Sequence, residues 1–83
     1  MIEYSEKVHR NISDNLKEIR LTAGWTQEEL GRYIGYSRQQ IRNIEDGKQP
    51  MRKTTCIALL AVLSYFRGLK GYERLTLFLD KLL

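Results

Sequence analysis

The run TQEELGRYIGYSRQQIRNIE, residues 26–45, leaves the chain few ways to fold. Thr26 can cap a helix, and Glu29 stands three residues on, where a capping box places its acid. Leu30 and Ile34 follow at helical spacing, and Gly31 is small enough to let another helix approach closely. Gly35 interrupts the run, because a residue without Cβ reaches the left-handed backbone at the least cost. Ser37 opens a second helix, with Ile41 and Ile44 three apart on one face. The opposite face carries Arg38, Gln39, Gln40, Arg42 and Asn43, side chains whose donors and acceptors match base edges and phosphates. Two short helices, a glycine turn and a polar outer face on the second helix describe a helix-turn-helix. An ordinary helical hairpin would not need five such polar groups beside one apolar seam.

The charge is placed to match. Residues 1–37 carry five basic and six acidic groups, residues 38–53 carry five basic and two acidic, and residues 67–83 add a further +2. The basic excess therefore lies on the second of the two helices and the loop after it, where a phosphate-facing surface needs it. Eighty-three residues make a single domain over 1–83 with a small core. No apolar run approaches the ~20 residues of a membrane span. The segment from Ile2 to Arg10 is mixed and polar, unlike a secretory signal. One cysteine, Cys56, cannot form an internal disulfide, so a cytoplasmic protein is expected.

Enzymatic chemistry has little to work with. With one histidine, His9, and one cysteine, neither a metal cluster nor a nucleophile–base pair can be assembled. The six glycines are spaced singly, so no phosphate-cradling nucleotide loop is present. No activity, metal or cofactor is expected. His9 reads as the rim of the first helix, and Cys56 as the filler of a helix surface or a core gap.

Arg20, TQEEL at Thr26–Leu30, GYS at Gly35–Ser37 and IRNIEDGK at Ile41–Lys48 together resemble the phage Cro/repressor-type helix-turn-helix family, also called the xenobiotic-response-element (XRE) family. The resemblance covers roughly residues 10 to 66. It implies that Arg20 pairs with Glu45 at the end of the recognition helix, a planar fork on two carboxylate oxygens. The other reading of Arg20 is a solvent-exposed side chain. The resemblance also implies that Gln27 contacts a phosphate and braces the first reader, here Arg38, where the family more often has a smaller polar residue. An arginine can grip O6 and N7 of guanine, and Gln39 can be bidentate to adenine. Gln40, Arg42 and Asn43 divide between base edges and phosphates, beside Ser37 at the head of the helix. Tyr36 replaces the aliphatic residue usual in the turn; its hydroxyl can reach a phosphate, or its ring can shield the turn. Lys48, Arg52 and Lys53 are the phosphate candidates of the following loop, where the next apolar positions fall about one residue later after Pro50 than the family spacing.

The remaining segments complete an all-α, compact five-helix bundle whose second and third helices are the helix-turn-helix. The first helix is expected from Ser5 to about Thr22, with Val8, Ile12, Leu16 and Ile19 inward and Lys7, Asn11, Asn15 and Glu18 toward water. Gly24 stops it, and Trp25 wedges it against the second helix. After the DGKQP turn, Thr54 or Thr55 can cap a fourth helix that runs to about Phe66, with Ile57, Leu60, Ala61 and Leu63 as its buried face. A last helix from Tyr72 to about Leu83, within residues 67–83, carries the apolar stripe Tyr72, Leu75, Phe78, Leu79 and Leu82. A stripe of this size reads as a dimerisation helix, and a two-fold dimer would set two recognition helices one turn of DNA, ~34 Å, apart. The alternative is that it caps the monomer's own core. The function expected is a sequence-specific, DNA-binding transcriptional regulator acting as a homodimer on a palindromic operator, like Cro-type repressors or restriction–modification controllers. Two rival readings are an antitoxin that binds both DNA and a toxin protein, and a structural module with an incidental basic loop.

Overall fold

The computed structural model describes residues 5–83. Residues 1–4, the start of the single domain and of the segment read for a secretory signal, lie outside the described residues. Six helices follow one another: α1 (Glu6–Asp14), α2 (Leu16–Ala23), α3 (Gln27–Ile34), α4 (Arg38–Glu45), α5 (Lys53–Phe66) and α6 (Glu73–Leu82). None of them is long and apolar enough to cross a membrane.

The sixth helix arises because the expected first helix is two. Its apolar spacing is continuous, but the Asn15 side chain donates to the Asn11 carbonyl at 2.8 Å. That carbonyl is the one the Asn15 amide would take in an unbroken helix, and the amide turns instead to the Ile12 carbonyl at 3.3 Å. Asparagine competes in this way with the backbone ladder, and Asn15 leaves the helical region at φ −116°, ψ 19°. Asn11 and Asn15, expected to face water, are half-buried, and Asn11 donates to the Leu82 carbonyl at the end of α6.

One core holds the bundle. Ile12, Leu16 and Ile19 meet Leu30, Ile34, Ile41 and Ile44 from the helix-turn-helix, Leu59 and Leu63 from α5, and Leu75 and Leu79 from α6. Burying each such side chain contributes roughly 1.5–3 kcal/mol. Trp25 does not simply wedge two helices. Its ring lies 4.9 Å from Tyr33 and 5.2 Å from Phe66, joining α3 to the end of α5, and Tyr72 extends the cluster 4.7 Å beyond Phe66.

The capping and the buried face of the helix after the turn are corrected. Helix α5 starts at Lys53, with Arg52 at the cap position and no side-chain cap from Thr54 or Thr55. It buries Thr55, Cys56, Leu59 and Leu63, whereas Ile57 is 46% exposed and Ala61 faces out. Cys56 is a core residue with its sulfur 3.7 Å from that of Met51. In α6, Leu75 and Leu79 are fully buried within the chain's own core, and Tyr72, Phe78 and Leu82 pack against it. Leu75 and Leu79 therefore belong to the monomer's own core, with α6 lying on α2, whereas Tyr72, Phe78 and Leu82 are only half-buried and Leu77 on the opposite side is 63% exposed.

Candidate nucleic-acid interface

The helix-turn-helix is built from two capping boxes and one close approach. Thr26 accepts from the Glu29 amide and Glu29 accepts from the Thr26 amide, each at 3.0 Å. Ser37 and Gln40 repeat the exchange at the head of α4, at 3.1 and 2.8 Å. Reciprocal bonds of this kind satisfy two of the amides that a helix start leaves without partners. Because it accepts two hydrogen bonds, first the Thr26 backbone amide's, the Glu29 carboxyl is held below the usual carboxylate range. Between the helices, Gly35 is left-handed at φ 78°. The turn then folds back so tightly that a Cβ on Gly31 would sit 2.2 Å from the Tyr36 carbonyl oxygen. Only glycine fits there.

Glu45 is the anchor behind this surface. Its Oε2 accepts from Arg20 Nε at 2.7 Å, and its Oε1 accepts from Arg20 Nη2 at 3.2 Å and from Gln27 Nε2 at 3.1 Å. Arg20 Nη1 donates to the Trp25 carbonyl at 2.9 Å. The pair is nearly dry, with 10% of the Arg20 side chain and 2% of the Glu45 side chain exposed. One carboxylate thus ties α2, the Trp25 turn and α3 to the end of α4. Gln27, expected to brace Arg38, gives its amide to Glu45 instead.

The outer face of α4 is sorted by its hydrogen bonds. Arg38 is exposed, and its side chain has no hydrogen bond or ion pair among the described residues. Gln39 donates to Asn43 at 3.0 Å. Gln40 is engaged by the cap, which leaves its Nε2 for anything outside. Arg42 lies 3.9 Å from Asp46 on an exposed surface, where an ion pair contributes little. Arg38 and Arg42 line one cleft with Gln27 and Glu45. Lys17 of α2 lines it too, a residue the charge count over 1–37 concealed; its spacing of three from Arg20 is the signal that places it there.

Other candidates lie apart from that cleft. Lys48 borders a groove with His9 and Arg10 of α1, and Lys53 borders another with Ser5 and Glu6. Arg52 stands exposed at the start of α5. Tyr36 is half-buried, and its hydroxyl accepts from Thr55 at 3.0 Å, so the turn is tied to α5. Accepting that bond leaves the Tyr36 hydroxyl proton for an outside acceptor.

No curated protein and no solved structure is significantly similar to the chain. The family model described as helix-turn-helix matches residues 16–65, from the start of α2 almost to the end of α5. That span holds the Arg20–Glu45 anchor, both capping boxes and the whole of α4. The chain belongs to the Cro/repressor-type helix-turn-helix family, whose members are DNA-binding transcriptional regulators.

Proposed function

We propose that this chain is a sequence-specific regulator that lays α4 in the major groove of a palindromic operator as a homodimer. The observation that carries the reading is the division of α4. Ile41 and Ile44 are buried, while Arg38, the one side chain of its outer face without a hydrogen bond or ion pair among the described residues, stands at the helix start beside Gln39. In this reading Arg38 grips a guanine, Gln39 and Asn43 read further along the groove, and Ser37, Gln40 and Arg42 contact phosphate or base edges. Gln27 at the first turn of α3, together with Lys17 and Tyr36, meets the backbone on one side. Lys48, Arg52 and Lys53 meet it on the other. The protein works in the cytoplasm without enzymatic activity or cofactor. The free flank of α6 supports the dimer, and its test is argued at the scale of the whole molecule below.

The experiment is selection from a random DNA pool followed by titration of the selected site. Arg38→Ala is expected to weaken that site by ~1–3 kcal/mol and relax one base pair in each half-site. Lys48→Ala is expected to weaken all sequences alike and reduce the salt slope by about one. An Arg38→Ala protein with unchanged preference and affinity would remove α4 from the groove.

A further inference from the structure

The hydroxyl of Thr55 is turned away from its own helix. Elsewhere in this bundle, hydroxyls on half-buried helix faces bond back to the carbonyl four residues earlier, Ser13 to His9 at 2.7 Å and Thr76 to Tyr72 at 3.0 Å. Thr55, 8% exposed in the first turn of α5, reaches across to the helix-turn-helix instead and donates to the Tyr36 hydroxyl at 3.0 Å. The direction of that bond follows from burial. Were Tyr36 the donor, the buried Thr55 proton would have no acceptor among the described residues, and an unmade buried hydrogen bond is costly. Tyr36 is half-buried, so its proton can meet water or a ligand. A phenol has one proton, and once its oxygen accepts from Thr55 that proton is left for a group outside the chain.

We propose that Thr55 is a positioning residue for DNA: from inside the core it holds the Tyr36 hydroxyl as a donor toward a backbone phosphate. This rests on the reading of α4 as the groove-bound helix, because Tyr36 immediately precedes Ser37, the cap of that helix. An ionised phosphate accepts and does not donate, so it can take only the Tyr36 proton. The Thr55 bond therefore runs the same way in the complex as in the free protein, and nothing has to turn over on binding. Thr55 hydroxyl, Tyr36 hydroxyl and phosphate then form a chain in which each bond polarises the next. A buried residue of α5 thus strengthens a contact that it does not itself make.

The test uses the site selected from the random pool. Wild type, Tyr36→Phe, Thr55→Val, Thr55→Ser and the double variant Tyr36→Phe with Thr55→Val are titrated at several salt concentrations and melted in parallel. Tyr36→Phe is expected to weaken all sequences alike, about tenfold for one hydrogen bond to a charged acceptor. Its salt slope should stay unchanged, because no cation is lost. Thr55→Val, close in shape but without the hydroxyl, is expected to weaken binding about threefold, and Thr55→Ser to restore it. In the Tyr36→Phe background the Thr55→Val change should cost no further affinity. Tyr36→Phe with wild-type affinity, or with a loss confined to one base pair, would overturn the proposal. So would a Thr55→Val protein that binds like wild type. A Thr55→Val loss that persists in the double variant, or that Thr55→Ser shares, would overturn it too, since either makes Thr55 a matter of packing alone. A wild type that binds no DNA even at low salt would instead sink the reading of α4 on which this rests.

Discussion

Each nitrogen of the Arg20 guanidinium has its own acceptor, Nε and Nη2 on Glu45 and Nη1 on the Trp25 carbonyl. Glu45 in turn holds the Gln27 amide. A pair this dry is weak evidence for net stability, because two charges had to leave water, but removing one member strands the other. Arg20→Ala and Glu45→Ala are each expected to destabilise the fold by ~3–5 kcal/mol, and the double variant by clearly less than their sum. Urea unfolding of the four proteins measures this; additive losses would mean that the contact carries no coupling. The Arg20–Glu45 contact was legible through the family resemblance. The Gln27 leg was not, since nothing in a separation of eighteen residues marks a side chain that turns back to a buried carboxylate. Tyr36 shows the same limit. Its two expected roles treated the residue alone, and its partner Thr55 lies on a helix whose orientation the local sequence does not encode.

Among the elements, α3 and α4 were legible because their boundaries are made by neighbours in sequence: Thr26 with Glu29, Gly35, and Ser37 with Gln40. The break at Asn15 was hidden by an apolar pattern that runs through it. The inward face of α5 was misread because the helix is apolar on nearly every side, so periodicity carries no direction there. The two capping boxes also differ in a testable way. Helix α3 uses a carboxylate and α4 a neutral amide, so the first turn of α4 carries no acidic group. The depressed Glu29 carboxyl contributes stability that is present above the ordinary carboxylate range and lost as pH falls through its folded value. Acidification should therefore loosen the start of α3 before that of α4. Amide exchange at Glu29 and Gln40 checks this, and Glu29→Gln, which can still accept the Thr26 amide, should abolish the difference. Equal loss at both helix starts would show that the caps are not the acid-sensitive step.

At the scale of the whole molecule, the bundle measures 31 × 26 × 18 Å, and placing two recognition helices ~34 Å apart asks two copies to meet directly through one flank. The apolar stripe of α6 was legible as a stripe, but what covers it depends on how α2 is placed, and α2 covers Leu75 and Leu79. In the proposed dimer, the surface left for a second copy lies on the other side. Leu69 and Leu77, 41% and 63% exposed, border one groove together with Lys70 and Glu73. Opposite charges beside two leucines suit a two-fold contact, since Lys70 of one copy can face Glu73 of the other. Two substitutions one residue apart then separate the roles. Leu77→Glu is expected to split the dimer and leave the bundle folded, with DNA affinity falling steeply because two half-sites are no longer held by one molecule. Phe78→Glu puts a charge against the core and is expected to lower thermal stability sharply, whatever the state of assembly. Sedimentation and circular dichroism on the same samples read both outcomes. Leu77→Glu remaining dimeric, or a wild type that is monomeric at concentrations on the order of tens of micromolar, far above a micromolar dissociation constant, would take this flank out of the assembly.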